Sequence, residues 1–139
     1  MLMKEKASAV LEDENYLTKI THRHHQYFTD EPTDVGGKDQ YTTPEELLLG
    51  SLAACVATTL RMYANRKGWD LGRIGVDVSM RSFKTDSGTE FEFTQNFSFG
   101  NSAKLTLEQM YRLVQIAKKC PVAQIIQKTT KITYVLGEG

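Results

Sequence analysis

Cysteine and proline are scarce in this chain, and neither sign of charge is in excess. Two of its 139 residues are cysteine and three are proline. Two thiols cannot build the dense disulfide framework of a small secreted domain, so stability has to come from a hydrophobic core. Seventeen basic residues balance seventeen acidic ones. With no net charge and no basic stripe, nucleic-acid binding is disfavoured, as is attraction to an anionic membrane. Internal repeats and low-complexity segments are absent. The longest apolar block, Leu47 to Ala57, holds 11 residues, against the ~20 that cross a bilayer, so no membrane span is expected. The stretch Met1 to Lys6 reaches charged residues at once and lacks the apolar centre of a secretion signal, which makes the cytoplasm the expected compartment. There both cysteines should be free thiols, either structural or reactive.

What is present suits a globular fold. Hydrophobic residues make up 40% and charged residues 24%, and the length fits a single domain over 1–139. Residues 7–11 and 16–28 read as extended segments joined by the polar turn Glu12-Asp13-Glu14-Asn15, a hairpin. The stretch from Asp30 to Asp39 carries Pro32, Gly36 and Gly37 and reads as a loop. Thr43-Pro44-Glu45-Glu46 combines a capping hydroxyl, a proline suited to the first helical position and a carboxylate that closes a capping box, and predicts a helix to about Lys67-Gly68. From Leu47 to Ala57 that helix is apolar around nearly its whole circumference, as in a helix buried on several sides.

Ile74, Val76, Val78 and Met80 alternate with polar residues or glycine, and Phe91, Phe93, Phe97 and Phe99 share one parity. Two strands with apolar faces follow, joined by a turn between Lys84 and Gly88. Thr106-Leu107-Glu108-Gln109 is a second capping box, and Leu107, Met110, Val114 and Ala117 continue at helical spacing to a helix end near Lys119. Pro121 then starts a short helix to about Gln127, and Ile132, Tyr134 and Leu136 alternate as a last strand. The expected fold is α+β, in the order ββ-α-ββ-α-(short α)-β, with a curved antiparallel sheet packed around a long central helix.

The cysteines carry the chemistry this sequence allows. Cys55 lies mid-helix among alanines, where a cysteine serves either as core packing or as a nucleophile raised by its neighbours. Cys120 stands at the N-cap of the Pro121 helix after Lys118 and Lys119, and both features favour a thiolate. If the two helices bring these thiols together, peroxide can oxidise one to a sulfenic acid and the other can condense with it. His22, Arg23, His24 and His25 form a further cluster, with His22 and His24 on one face of a strand. Two histidines without companion Cys/His spacing make no metal site, so a solvated strand face is expected and no metal or cofactor is.

Three blocks carry a resemblance. They are Gly36-Gly37-Lys38-Asp39, then Thr43 through Cys55 continuing into Thr59-Leu60-Arg61-Met62-Tyr63-Ala64, and Ala117-Lys118-Lys119-Cys120-Pro121-Val122. Together they resemble the OsmC/Ohr family of organic hydroperoxide reductases, from about residue 22 onward. The resemblance implies that Cys55 reacts with peroxide and Cys120 resolves it. It also implies an intertwined homodimer with sites at the subunit interface, and a dithiol reductant such as a lipoyl group. In the hydroperoxidase branch a glutamate and an arginine assist. Glu45 falls at the glutamate's position. Ten residues of helix place it ~15 Å along the axis from Cys55 and roughly 80° around it, so it would serve a second copy's cysteine; the bland alternative is an acid that offsets the helix dipole. The family's arginine belongs in or near the first hairpin turn, where this chain has Glu12 to Asn15, and the first arginine is Arg23, the substitute candidate. Ala123-Gln124 also replaces the His-Arg of some relatives. The leading expectation is thiol-dependent reduction of organic hydroperoxides; the rival is a non-catalytic dimer of the same fold that binds a hydrophobic small molecule or senses oxidants.

Overall fold

The computed structural model describes residues 5–137. The chain divides into two compact units, Met1–Leu48 and Leu49–Gly139. The first unit holds a three-stranded antiparallel sheet of β1 (Ser8–Leu11), β2 (Thr18–His22) and β3 (His25–Thr29), in that order. One extended segment over 16–28 was expected; it is instead folded back on itself. His22 pairs with His25, and Arg23 takes a left-handed φ of 52° in the two-residue turn between them. Such tight turns require a positive φ, which period-two patterning does not reveal in an arginine. Arg23 and His24 therefore sit at a hairpin tip, and His24 shares no strand face with His22.

The loop after β3 is knit together by Asp30. This buried carboxylate accepts from the backbone N–H of Glu31 at 2.8 Å, and from those of Lys38 and Gln40 at 3.3 Å each. The Asp30 amide donates to the Thr42 carbonyl at 3.1 Å. A short 3-10 turn, Thr33–Val35, ends on Gly36 at φ 98°, and Gly37 packs so closely on the Glu31 backbone that a Cβ would lie 2.0 Å from its carbonyl oxygen.

Helix α1 (Pro44–Lys67) starts in the first unit and continues through the second. Its capping box is closed as the sequence predicts: the Thr43 amide donates to Glu46 Oε1 at 3.0 Å and the Glu46 amide to Thr43 Oγ1 at 3.1 Å. Gly68 terminates it at φ 70°, with the Trp69 amide returned to the Ala64 carbonyl. Within the chain, α1 is not buried on several sides. Leu52, Val56, Leu60, Tyr63 and Ala64 form one buried stripe, whereas Leu48 and Met62 are exposed. The 11-residue apolar block also understates this helix. Over 18 residues its mean hydropathy reaches 1.5, so by length and composition alone it could cross a membrane. Its buried stripe of five residues packs in the hydrophobic cluster of the second unit.

In the second unit, β4 (Ile74–Thr85) and β5 (Gly88–Phe99) form a long two-stranded hairpin with Ile74 opposite Phe99, Val76 opposite Phe97 and Met80 opposite Phe93. Ile74, Val76, Val78, Phe93, Phe97 and Phe99 pack on the core. Gln95 interrupts this face, and its buried Oε1 has no donor among the described residues. Helix α2 (Leu107–Ala117) has the predicted capping box between Thr106 and Gln109. Its buried face, though, is Leu113, Ile116 and Ala117; Leu107 and Val114, read as core positions, face solvent. Each fully buried leucine of this core, such as Leu52, Leu60 or Leu113, contributes about 1.5–3 kcal/mol. Helix α3 (Pro121–Gln127) follows at once.

The expected last strand is absent among the described residues. Ile132, Tyr134 and Leu136 are 69%, 87% and 99% exposed. Alternation provides an apolar face, but a strand also needs an edge to pair with. The single curved sheet is likewise replaced by two separate antiparallel sheets of three and two strands.

Candidate functional site

The second unit brings the two cysteines together. Cys55 lies three residues beyond Leu52 and one before Val56 on α1, and its half-buried side chain packs against the core cluster that contains Cys120. Its carbonyl accepts from Thr59 Oγ1 at 2.8 Å. Cys120 is placed by the α2–α3 junction. The Lys119 and Cys120 amides close the end of α2 on Ile116 and Ala117, Gln124 N donates to the Cys120 carbonyl at 3.0 Å, and Gln124 Nε2 donates to the Lys118 carbonyl at 2.6 Å. Both sulfurs are free thiols, and the two side chains belong to one packed cluster.

The electrostatics of Cys120 differ from the sequence expectation. Burial pushes its thiol above the ordinary range, and the hydrogen bond with Cys55 pushes the same way. The N–H groups of Ala123 and Val122 at the start of α3 do pull it down, as an N-cap should, but they close no capping hydrogen bond. Lys118 and Lys119 are exposed and lend no counter-charge that outweighs the loss of water. Cys120, at 0% exposure, is therefore held as a thiol.

The other predicted site residues lie in the first unit. Glu45 stands exposed in the first turn of α1, and the ten residues from there to Cys55 are helical throughout. Arg23 is exposed at the β2–β3 turn. His22 is committed to structure: Nε2 lies 2.6 Å from the Tyr27 hydroxyl, and the two rings stack. The His24 and His25 rings lie 4.0 Å apart, tilted at 40° to each other, and among the described residues no three His, Cys, Asp or Glu side chains come together as metal ligands.

With the paired thiols in place, kinship can be assessed. The family model for OsmC-like protein matches residues 37–135, which include both cysteines. The chain belongs to the OsmC-like family. Solved structures of this fold agree. An OsmC-like protein of unknown function from Vibrio cholerae superposes with a TM-score of 0.73 at 13% identity, with 91% of this chain and 95% of that one covered. The organic hydroperoxide resistance protein OsmC of Legionella pneumophila gives 0.66 at 22% identity, with 91% of each chain covered. An OsmC-like protein from Mycoplasma pneumoniae gives 0.70 at 19%, covering 91% and 89%. No curated protein sequence matches the chain. As in its OsmC-like relatives, the chain is mixed α+β with antiparallel sheets and a long central helix.

Two features escaped the sequence reading. Asp30 was hidden because its partners, Lys38 and Gln40, lie up to ten residues away in an irregular loop. Tyr63 and Arg112, 49 residues apart, meet when Arg112 Nε donates to the phenol oxygen at 3.0 Å.

Proposed function

We propose that the chain reduces organic hydroperoxides by a dithiol cycle in which Cys55 is oxidised first and Cys120 resolves it. The observation that carries this reading is the pair of free thiols packed in one core cluster, one half-buried and one sealed. The Cys55 thiolate attacks the terminal oxygen of the hydroperoxide. The O–O bond breaks, the alkoxide takes up a proton and leaves as the alcohol, and Cys55 becomes a sulfenic acid. Cys120 then attacks that sulfur, gives its proton to the departing hydroxide, and leaves a disulfide and water. A dithiol such as a lipoyl group restores both thiols by exchange and is itself oxidised to a disulfide. Buried and held as a thiol, Cys120 is poorly placed to attack peroxide itself, which supports this order; in resolution its proton passes to the departing hydroxide.

Several features support the finer points. Phe93, Phe97 and Phe99 belong to the same apolar cluster as Cys55 and favour an organic peroxide over hydrogen peroxide. The name of the Legionella relative points to the same substrate class. The working unit is a homodimer, supported by the exposed alternation of Ile132, Tyr134 and Leu136, which a second copy would cover. In that assembly Glu45 serves a second copy's cysteine, and Arg23, exposed at its turn, is the cation that assists. The cytoplasm, where lipoyl groups and glutathione keep thiols reduced, is the compartment that suits such a cycle.

Turnover of cumene hydroperoxide with dihydrolipoamide as reductant tests the reading. The wild type is expected to cycle, Cys55→Ser to fall to background, and Cys120→Ser to stop after one oxidation with a sulfenic acid that dimedone traps. Survival of both wild-type thiols through minutes of stoichiometric peroxide would replace the enzyme with the non-catalytic dimer that binds a hydrophobic small molecule or senses oxidants.

A further inference from the structure

A cavity in the unit of residues 49–139, of about 320 Å³, lies where the C-terminal end of α1 meets the start of α2. Its walls include Tyr63, Lys67, Trp69, Glu108, Tyr111 and Arg112. Tyr63 is buried, and its ring is the meeting point of three cations. The charged centres of Arg66 and Lys67 each lie 5.8 Å from the ring centroid and that of Arg112 lies 5.6 Å away. Trp69 stands edge-on to the same ring at 5.6 Å.

Among the described residues no carboxylate pairs with these cations. The ion pairs among the described residues are Lys38 with Glu14 and Arg81 with Glu92. Glu108, the acid in the cavity wall, joins neither and pairs with none of the three. The chain has as many acids as bases, so an unanswered cluster is not forced by composition. Arg66 and Lys67 offset the helix dipole in the last turn of α1, which accounts for their charge in part. Arg112 is central in α2, and no helix end explains it. Its hydrogen bond also lowers the Tyr63 phenol below the usual tyrosine range, a sign of strong local positive potential. Cationic donors and the rings of Tyr63, Trp69 and Tyr111 thus share a cavity whose wall is completed by Thr106, Gln109 and the Glu108 carboxylate, and its volume is near the lower end of small-molecule sites, ~300–1,000 Å³.

We propose that this cavity binds a small aromatic anion, with its phosphate or carboxylate held by Arg112 and Lys67 and its ring against Trp69. The site is separate from the thiol pair and uses neither cysteine. Arg112 supplies a planar fork suited to two anionic oxygens, and Lys67 a point charge. The rings of Trp69 and Tyr111 supply flat apolar surface that a bare inorganic ion would not use.

Trp69 is the single tryptophan of the chain, so its fluorescence reports on this cavity alone. Phenyl phosphate titrated into the full chain is expected to produce a saturable change. Inorganic phosphate should bind about tenfold more weakly, and phenol should produce no saturable change. Arg112→Gln and Lys67→Gln, both at exposed positions, should each weaken phenyl phosphate about tenfold, while Arg112→Lys recovers part of the loss and Cys55→Ser binds as the wild type does. Failure of phenyl phosphate to saturate with the wild type would overturn the proposal. So would phenol titrating as tightly as phenyl phosphate, or a Cys55→Ser chain that no longer binds.

Discussion

Asp30 in the first unit and Cys120 in the second are both sealed from water, at 2% and 0% exposure, yet burial leaves one charged and the other neutral. Asp30 receives backbone N–H groups from Glu31, Gln40 and Lys38, which hold its carboxyl below the usual range against the opposing cost of burial. Cys120 also has N–H groups nearby, from Ala123 and Val122, but the apolar core around it and the hydrogen bond with Cys55 outweigh them. The difference lies in the number and quality of donors rather than in depth. A loop that folds around a carboxylate turns burial into a charged anchor; a helix start pressed into a core turns it into a proton store.

The largest effect that would break this comparison is expected at Asp30. Asp30→Ala leaves three loop amides without their acceptor and should lower Tm by about 10 °C in thermal unfolding, with Asp30→Asn in between. The sign of the pH dependence follows from the lowered carboxyl. Stability from Asp30 is present above the unfolded-state value of about 3.9 and is lost as pH falls through the lower folded value. The Tm gap between wild type and Asp30→Asn should therefore shrink below about pH 4.

Cys120 should give the opposite dependence, and a smaller one. Its folded thiol titrates above the unfolded value of about 8.5, so above that pH the unfolded chain releases the proton first and stability falls. Urea midpoints measured from pH 7 to 10 should decline in the wild type and lose that component in Cys120→Ala, relative to each protein at pH 7. If the decline persists in the variant, Cys120 is not the group that burial holds neutral. The smallest effect on the isolated fold is expected at the tail. Tyr134→Asp should change the stability of the monomer by no more than about 0.5 kcal/mol, because the side chain touches little of its own chain, while shifting the proposed dimer toward monomer in sedimentation. A dimer that survives Tyr134→Asp together with Leu136→Asp would remove the tail from the interface.

Local signals were the legible part of this fold. Both capping boxes, the proline that opens α1, the glycine that ends it and the β4–β5 alternation act within a few residues and appear as read. Features set by distant partners were not. Arg23 looked like a strand residue because nothing in its type announces a positive φ. Leu107 and Val114 fit a helical stripe, yet the core selects Leu113 and Ile116 from the adjacent face. Ile132, Tyr134 and Leu136 have the period of a strand and, within the chain, no edge to join. At the candidate site, the packing of Cys55 against the cluster that holds Cys120 was readable from their motifs. The charge state of Cys120 was not, because an N-cap position is a sequence property and the surrounding core is a tertiary one.

The central claim is that Cys55 and Cys120 act as one redox unit, and the most direct measurement is intact mass and free-thiol counting after one equivalent of cumene hydroperoxide. Loss of both thiols together and a single intrachain Cys55–Cys120 disulfide in the peptide map are expected, with no such product in Cys55→Ser. Stable oxidation of Cys55 alone in the wild type, with Cys120 still a free thiol, would contradict it.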